Sequence, residues 1–83
     1  MPVVFRQSGW RFHFFAYEGS PREPIHVHVA KPDADAKVWL YPEPRVAYNH
    51  GINARDMRMI LEIVTLHTQE IEEAWHGFFA GTD

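Results

Sequence analysis

Apolar and polar residues alternate with a period of two through the first half of the chain, and the period lengthens to about 3.6 in the last third. Residues 3–6 are β-branched and aromatic, and Gln7-Ser8-Gly9 reads as a tight turn. Residues 10–17 then set Trp10, Phe12 and Phe14 on one side and Arg11, His13, Phe15 and Tyr17 on the other. Residues 18–24 form a loop by their Gly and Pro content. A third strand over 25–31 points Ile25, Val27 and Val29 inward and His26 and His28 outward. The turn Pro32-Asp33-Ala34-Asp35 leads into a fourth strand over 36–41. Pairing Lys31 with Ala36 sets Val29 against Val38 and Val27 against Leu40, with His28 opposite Trp39 and His26 opposite Tyr41. Arg45 to Asn49 is a candidate short edge strand.

The helix signal is the strongest in the chain. Asn53 is a good N-cap, Asp56 suits the positive helix end, and Ile52 with Met57 matches a hydrophobic staple. Met57, Ile60, Val64, Ile71, Trp75 and Phe78 share one stripe, which predicts a single helix from about Ala54 to Phe79. At ~1.5 Å per residue it is roughly 39 Å long and overhangs a small sheet. His67 lies in the stripe and is expected as a core histidine with a hydrogen-bond partner, whereas His76 belongs in solvent beside Glu72 and Glu73. Met59 and Leu66, seven residues apart on another face, suggest a second seam through which two copies would pair.

These elements predict an α+β fold in a single domain over residues 1–83. A small, mainly antiparallel four-stranded sheet packs on one long C-terminal helix. Its core side takes Phe12, Phe14, Val27, Val29, Val38 and Leu40, and its other side carries a face rich in imidazole and aromatic rings. Such a face marks an interaction site.

Composition narrows the uses of that face. The chain has no cysteine, which excludes disulfide frameworks, thiolate metal sites and thiol nucleophiles. No apolar stretch approaches the ~18 residues of a membrane span, and the N-terminus lacks the apolar run of a secretion signal, so the expected setting is cytoplasmic. The net charge of −3 is unevenly placed: residues 1–58 hold all eight basic residues against six acids, and residues 59–83 hold five acids and no Lys or Arg. The N-terminal part can therefore meet an anion and the C-terminal part repels one.

The candidate binding face comprises Tyr17, Arg22, His26, His28, Trp39, Tyr41, Asn49 and His50. Three chemistries fit it. Neutral imidazoles two residues apart on a strand can hold zinc or another divalent transition metal, with His26, His28 and His50 as the candidate ligands and His13 or Glu18 in reserve. An open aromatic face can stack single-stranded RNA on Trp39, with Arg11, Arg22, Lys37 and Arg45 for phosphates. His26, His28 or His50 can act as a general acid or base, helped by Tyr17, Tyr48 or Glu23. No serine triad or glycine-rich phosphate loop is present.

Several segments resemble one small bacterial family along nearly the whole chain. They are Met1-Pro2-Val3-Val4-Phe5-Arg6, Gly9-Trp10-Arg11-Phe12, Pro21-Arg22-Glu23-Pro24, His26-Val27-His28-Val29, Ala47-Tyr48-Asn49-His50-Gly51 and Glu73-Ala74-Trp75-His76. The resemblance is to the domain-of-unknown-function family DUF4160. Ile25 stands where a second proline is usual, and His13 where an aromatic residue is more typical. The resemblance implies membership of a compact two-gene, toxin–antitoxin-like module. A small partner protein from a neighbouring gene and a toxin role follow from it. The expected function is thus a protein-interaction component of such a pair, with a metal- or histidine-dependent enzyme acting on RNA or a small molecule as the alternative.

Overall fold

The computed structural model describes residues 2–16 and 23–80. The fold is α+β: five strands form one antiparallel sheet in sequential order, β1 (Val3–Gln7), β2 (Trp10–His13), β3 (His26–Lys31), β4 (Ala34–Trp39) and β5 (Arg45–His50), followed by α1 (Ala54–Leu66) and α2 (Thr68–Phe79). The sheet therefore has five strands rather than four, because residues 45–50 pair along β4 as a full edge strand. The long helix is two helices.

Turn chemistry sets the register. Ser8 and Gly9 both have positive φ, 56° and 83°, which makes β1–β2 a two-residue hairpin whose twist suits the flanking strands. The β3–β4 turn is also two residues, Pro32-Asp33, so Lys31 pairs with Ala34 and not with Ala36. The slip is two residues, an even number, so every side chain keeps its predicted face while its cross-strand neighbour changes. His28 faces Lys37, and His26 faces Trp39.

One sheet face builds the core. Phe12, Phe14, Val27, Val29, Val38 and Leu40 are buried as predicted, and Phe5 stacks on Phe12 at 4.5 Å between ring centroids. The helices close this face with Met57, Ile60, Ile63, Val64, Ile71, Trp75 and Phe79. The stripe therefore ends on Phe79, four residues beyond Trp75, while Phe78 stays on the rim and stacks loosely on Phe14. Asn53 caps α1 by accepting from the Asp56 N–H at 2.7 Å, and Ile52 and Met57 are both buried beside it.

The break at His67 has a local cause. Thr65 and Thr68 donate their hydroxyls to the Leu61 and Val64 carbonyls, intruding on the ladder where the helix turns. His67 leaves helical geometry there (φ −107°, ψ 15°), and its ring packs at 4.4 Å on Phe5. Its Nδ1 lies 2.8 Å from Glu70 and its Nε2 3.1 Å from Gln7. The histidine has its expected partners, but as the pivot between two helices and only half-buried.

Candidate functional site

The opposite sheet face carries the polar chemistry, in rows that cross the strands. Successive pairings align Val3, His13, His28, Lys37 and Tyr48 in one row, and Arg6, Arg11, Ala30, Asp35 and His50 in the next. A third row joins His26, Trp39 and Arg45.

Bulges on both edge strands make the first row. In β5, Val46 pairs with Val38 and Tyr48 with Lys37, which leaves Ala47 as an extra residue. Were Ala47 paired as an ordinary ladder residue, Val46 and Tyr48 would share a face; it forms a bulge instead. With it Val46 joins the core side while Tyr48 turns to the imidazoles. A similar irregularity between Val3 and Phe5 brings Val3 opposite His13 while Phe5 faces the core. Sequence alternation missed Tyr48 as a member of the His28 row because nothing in Arg45-Val46-Ala47-Tyr48 announces the extra residue.

The expectation of an open imidazole surface is corrected at its centre. His26, His13 and His28 are only 0, 2 and 4% exposed. His26 lies between two indoles, 5.4 Å from Trp39 and 5.0 Å from Trp75 of α2, so it is packed partly under the second helix. Phe15 covers His28 from the side, with centroids 4.4 Å apart, and stands edge-on to His13 at 5.1 Å.

Within this setting the rings form a contiguous group: His13 to His28 is 5.6 Å and His28 to His26 is 5.2 Å. The His26 Nδ1 donates to the Pro24 carbonyl at 2.9 Å, which fixes its tautomer with the proton on Nδ1. The His28 Nδ1 lies 3.3 Å from the Tyr48 hydroxyl. Tyr48 stacks at 4.7 Å on His50, whose side chain is 70% exposed, so a line of rings runs from the buried imidazoles to solvent. Beside it Lys37 donates to Glu23 at 2.7 Å and holds its ammonium 4.4 Å above the Trp39 ring.

The remaining predicted site residues separate from this group. His50 stands one row from His28, its Nδ1 3.5 Å from Asp35, and the trio His26, His28 and His50 is not assembled. Among the described residues no group of three His, Asp or Glu side chains is placed to hold a metal ion. By register Tyr48, and not His50, shares the His28 row. Asn49 lies on the core side of β5, where its amide donates to the Ile52 carbonyl and accepts from the Ile52 N–H, anchoring the start of α1. Tyr41 falls beyond β4 and donates to Glu72 of α2 at 2.5 Å. That hydrogen bond, some desolvation and the Glu72 charge together raise its pKa above the ordinary tyrosine value. Tyr17 and Arg22 lie outside the described residues.

The model of a family described as a domain of unknown function, DUF4160, matches residues 9–76. The chain belongs to that family. The matched stretch runs from the β1–β2 hairpin almost to the end of α2, so the DUF4160 domain includes all three buried histidines, Lys37, Tyr48 and the helix pivot. No match was found among curated proteins or among solved structures. Among the described residues no helix is long and apolar enough to cross a membrane.

Proposed function

We propose that the imidazole row is the working centre of this DUF4160 domain, performing histidine-dependent acid–base chemistry on an anionic substrate, RNA or a small molecule, in a cytoplasmic setting. One observation carries this reading: three buried imidazoles in a contiguous chain, His13 to His28 to His26, stand on the sheet face opposite the inward valines. Apolar side chains there would avoid the desolvation of polar rings, and local rules are broken in this way where function requires it. Imidazoles in opposite protonation states can take a proton from a nucleophile and deliver one to a leaving group. The Tyr48 hydroxyl at His28 supplies a route for that proton toward the surface.

The test is turnover of a short oligoribonucleotide and of a generic phosphodiester across pH 5–9. A bell-shaped profile is expected, with His28→Ala reducing the rate by about 10²–10⁴-fold. Absence of turnover of both compounds by folded wild-type protein counts against the reading.

A second reading, a protein partner from the implied two-gene module, is favoured by the outer face of α1. Leu66 is 82% exposed and lines a shallow groove with Arg58, Leu61, Glu62 and Thr65. Met59, expected to share that seam, is instead packed partly into the core. Co-expression with the neighbouring gene product tests this reading: Leu66→Glu should abolish co-purification, and failure of the unsubstituted protein to co-purify removes it.

A further inference from the structure

Arg6 on β1 and Arg11 on β2 are direct cross-strand partners, so both guanidinium groups stand on the polar sheet face, one row from the histidines. Like charges placed opposite one another in an antiparallel pair are destabilising. Neither arginine forms an ion pair among the described residues. Asp35, the carboxylate on their row, is two strands from Arg11, about 10 Å at ~4.8 Å per strand, and lies 3.5 Å from His50. Glu70 belongs to the other side of the sheet, with His67 and Gln7.

Arg11 carries a second cost. It is half-buried, and its Nε is shielded from solvent with no hydrogen-bond acceptor. A buried donor without an acceptor forfeits its hydration and gains nothing in return. A tetrahedral oxyanion between the two side chains would offset both costs, accepting from the Arg11 Nε and screening one guanidinium from the other. The planar fork of arginine suits phosphate oxygens in this role.

We infer that Arg6 and Arg11 form a binding site for a phosphate group, set beside the imidazole row on the same sheet face. The inference deepens the proposed acid–base function by naming phosphate as the anionic group of the substrate, yet it needs no turnover to be tested. Arg11 and His13 are two residues apart on one strand, so a phosphate held there lies on the same side as the first imidazole of the row. The shared chemistry is a phosphoryl oxyanion, and its two sources are a free or terminal phosphate and the diester backbone of RNA.

The experiment is a titration of the full chain with inorganic phosphate, and separately with a short oligoribonucleotide lacking terminal phosphates, followed by NMR of the arginine Nε–Hε groups. The expected result is a saturable shift of the Arg11 resonance with either probe and at least a tenfold weaker affinity in Arg11→Gln and Arg6→Gln. Response to inorganic phosphate assigns a monoester or free phosphate, and response to the oligonucleotide alone assigns the backbone. A linear, non-saturating drift with both probes, or saturation unchanged in both variants, overturns the inference. His28→Leu serves as the control. If it retains phosphate binding while turnover is absent in every form, the acid–base reading fails and the arginine site stands. Thermal unfolding with and without phosphate gives a second readout, since a ligand of the folded state raises the midpoint of wild type and not of Arg11→Gln.

Discussion

His26 and His28 are two residues apart on one strand face, yet their surroundings assign them different work. His26 is enclosed by Trp39 and Trp75 and tied to the Pro24 carbonyl, so it behaves as a packed residue with a polar anchor. His26→Ala should cost about 3 kcal/mol in urea unfolding, from the cavity and the lost hydrogen bond together. His28 lies at the Tyr48 end of the group and is the member whose replacement should separate stability from function. His28→Leu is expected to leave the protein as stable as wild type or about 1 kcal/mol more stable, while abolishing turnover. Tyr41 gives a pH prediction of definite sign. Its folded pKa lies above the unfolded value, so its contribution is whole below the unfolded value and is lost as pH rises through the folded one. Ultraviolet titration should show Tyr41 ionising later in wild type than in Glu72→Gln, which removes the hydrogen-bond acceptor and the charge.

Elements were legible where the pattern is local and illegible where it depends on one extra residue or one turn. The inward valines of β3, the Asn53 cap and both outer limits of the helical region follow from spacing alone. The register of β4 did not, because a two-residue and a four-residue turn at Pro32-Asp33 keep the same side chains inward and differ only in who faces whom. The helix break was hidden for a related reason: Thr65, His67 and Thr68 are ordinary helix residues until their side chains bond the carbonyls and β1. The candidate site was half readable, in that His26 and His28 were found but their enclosure needs Phe15 and Trp75, which no spacing rule brings to them. At this scale Ser8 offers a stability test. It holds φ 56° in a two-residue hairpin turn where Asn-Gly is preferred, so Ser8→Asn should raise unfolding free energy by about 0.5–1 kcal/mol.

Across the whole molecule, charge and chemistry separate onto the two faces of one thin sheet. Residues 1–53, which hold the five strands, carry six of the eight basic residues, α1 opens with Arg55 and Arg58, and residues 59–83 carry five acids and no Lys or Arg. An anion is thus drawn to the strand side more than to the acidic C-terminal part, so phosphate affinity should fall as added salt screens the arginines. Leu66 projects from α1 near Arg58 and Glu62, and Leu66→Lys should change unfolding free energy by less than about 0.5 kcal/mol. Sedimentation of both forms then decides the expected pairing of two copies: a dimer that Leu66→Lys dissociates supports the helix seam, and monomers in both remove it.

The unpaired alanine of β5 links two parts of the protein that otherwise have separate tasks. Deleting Ala47 would restore regular alternation, with Val46 still opposite Val38, Tyr48 opposite Lys37 and Asn49 opposite Ala36. Drawing Ala47 into the ladder at unchanged length would do the opposite, turning Tyr48 toward the valines and Asn49 away from Ile52, so the Tyr48–His28 contact and the clamp on Ile52 would go in one step. The sheet margin therefore tolerates losing this residue better than slipping past it, because one slip moves the His28 contact and the launch of the first helix together.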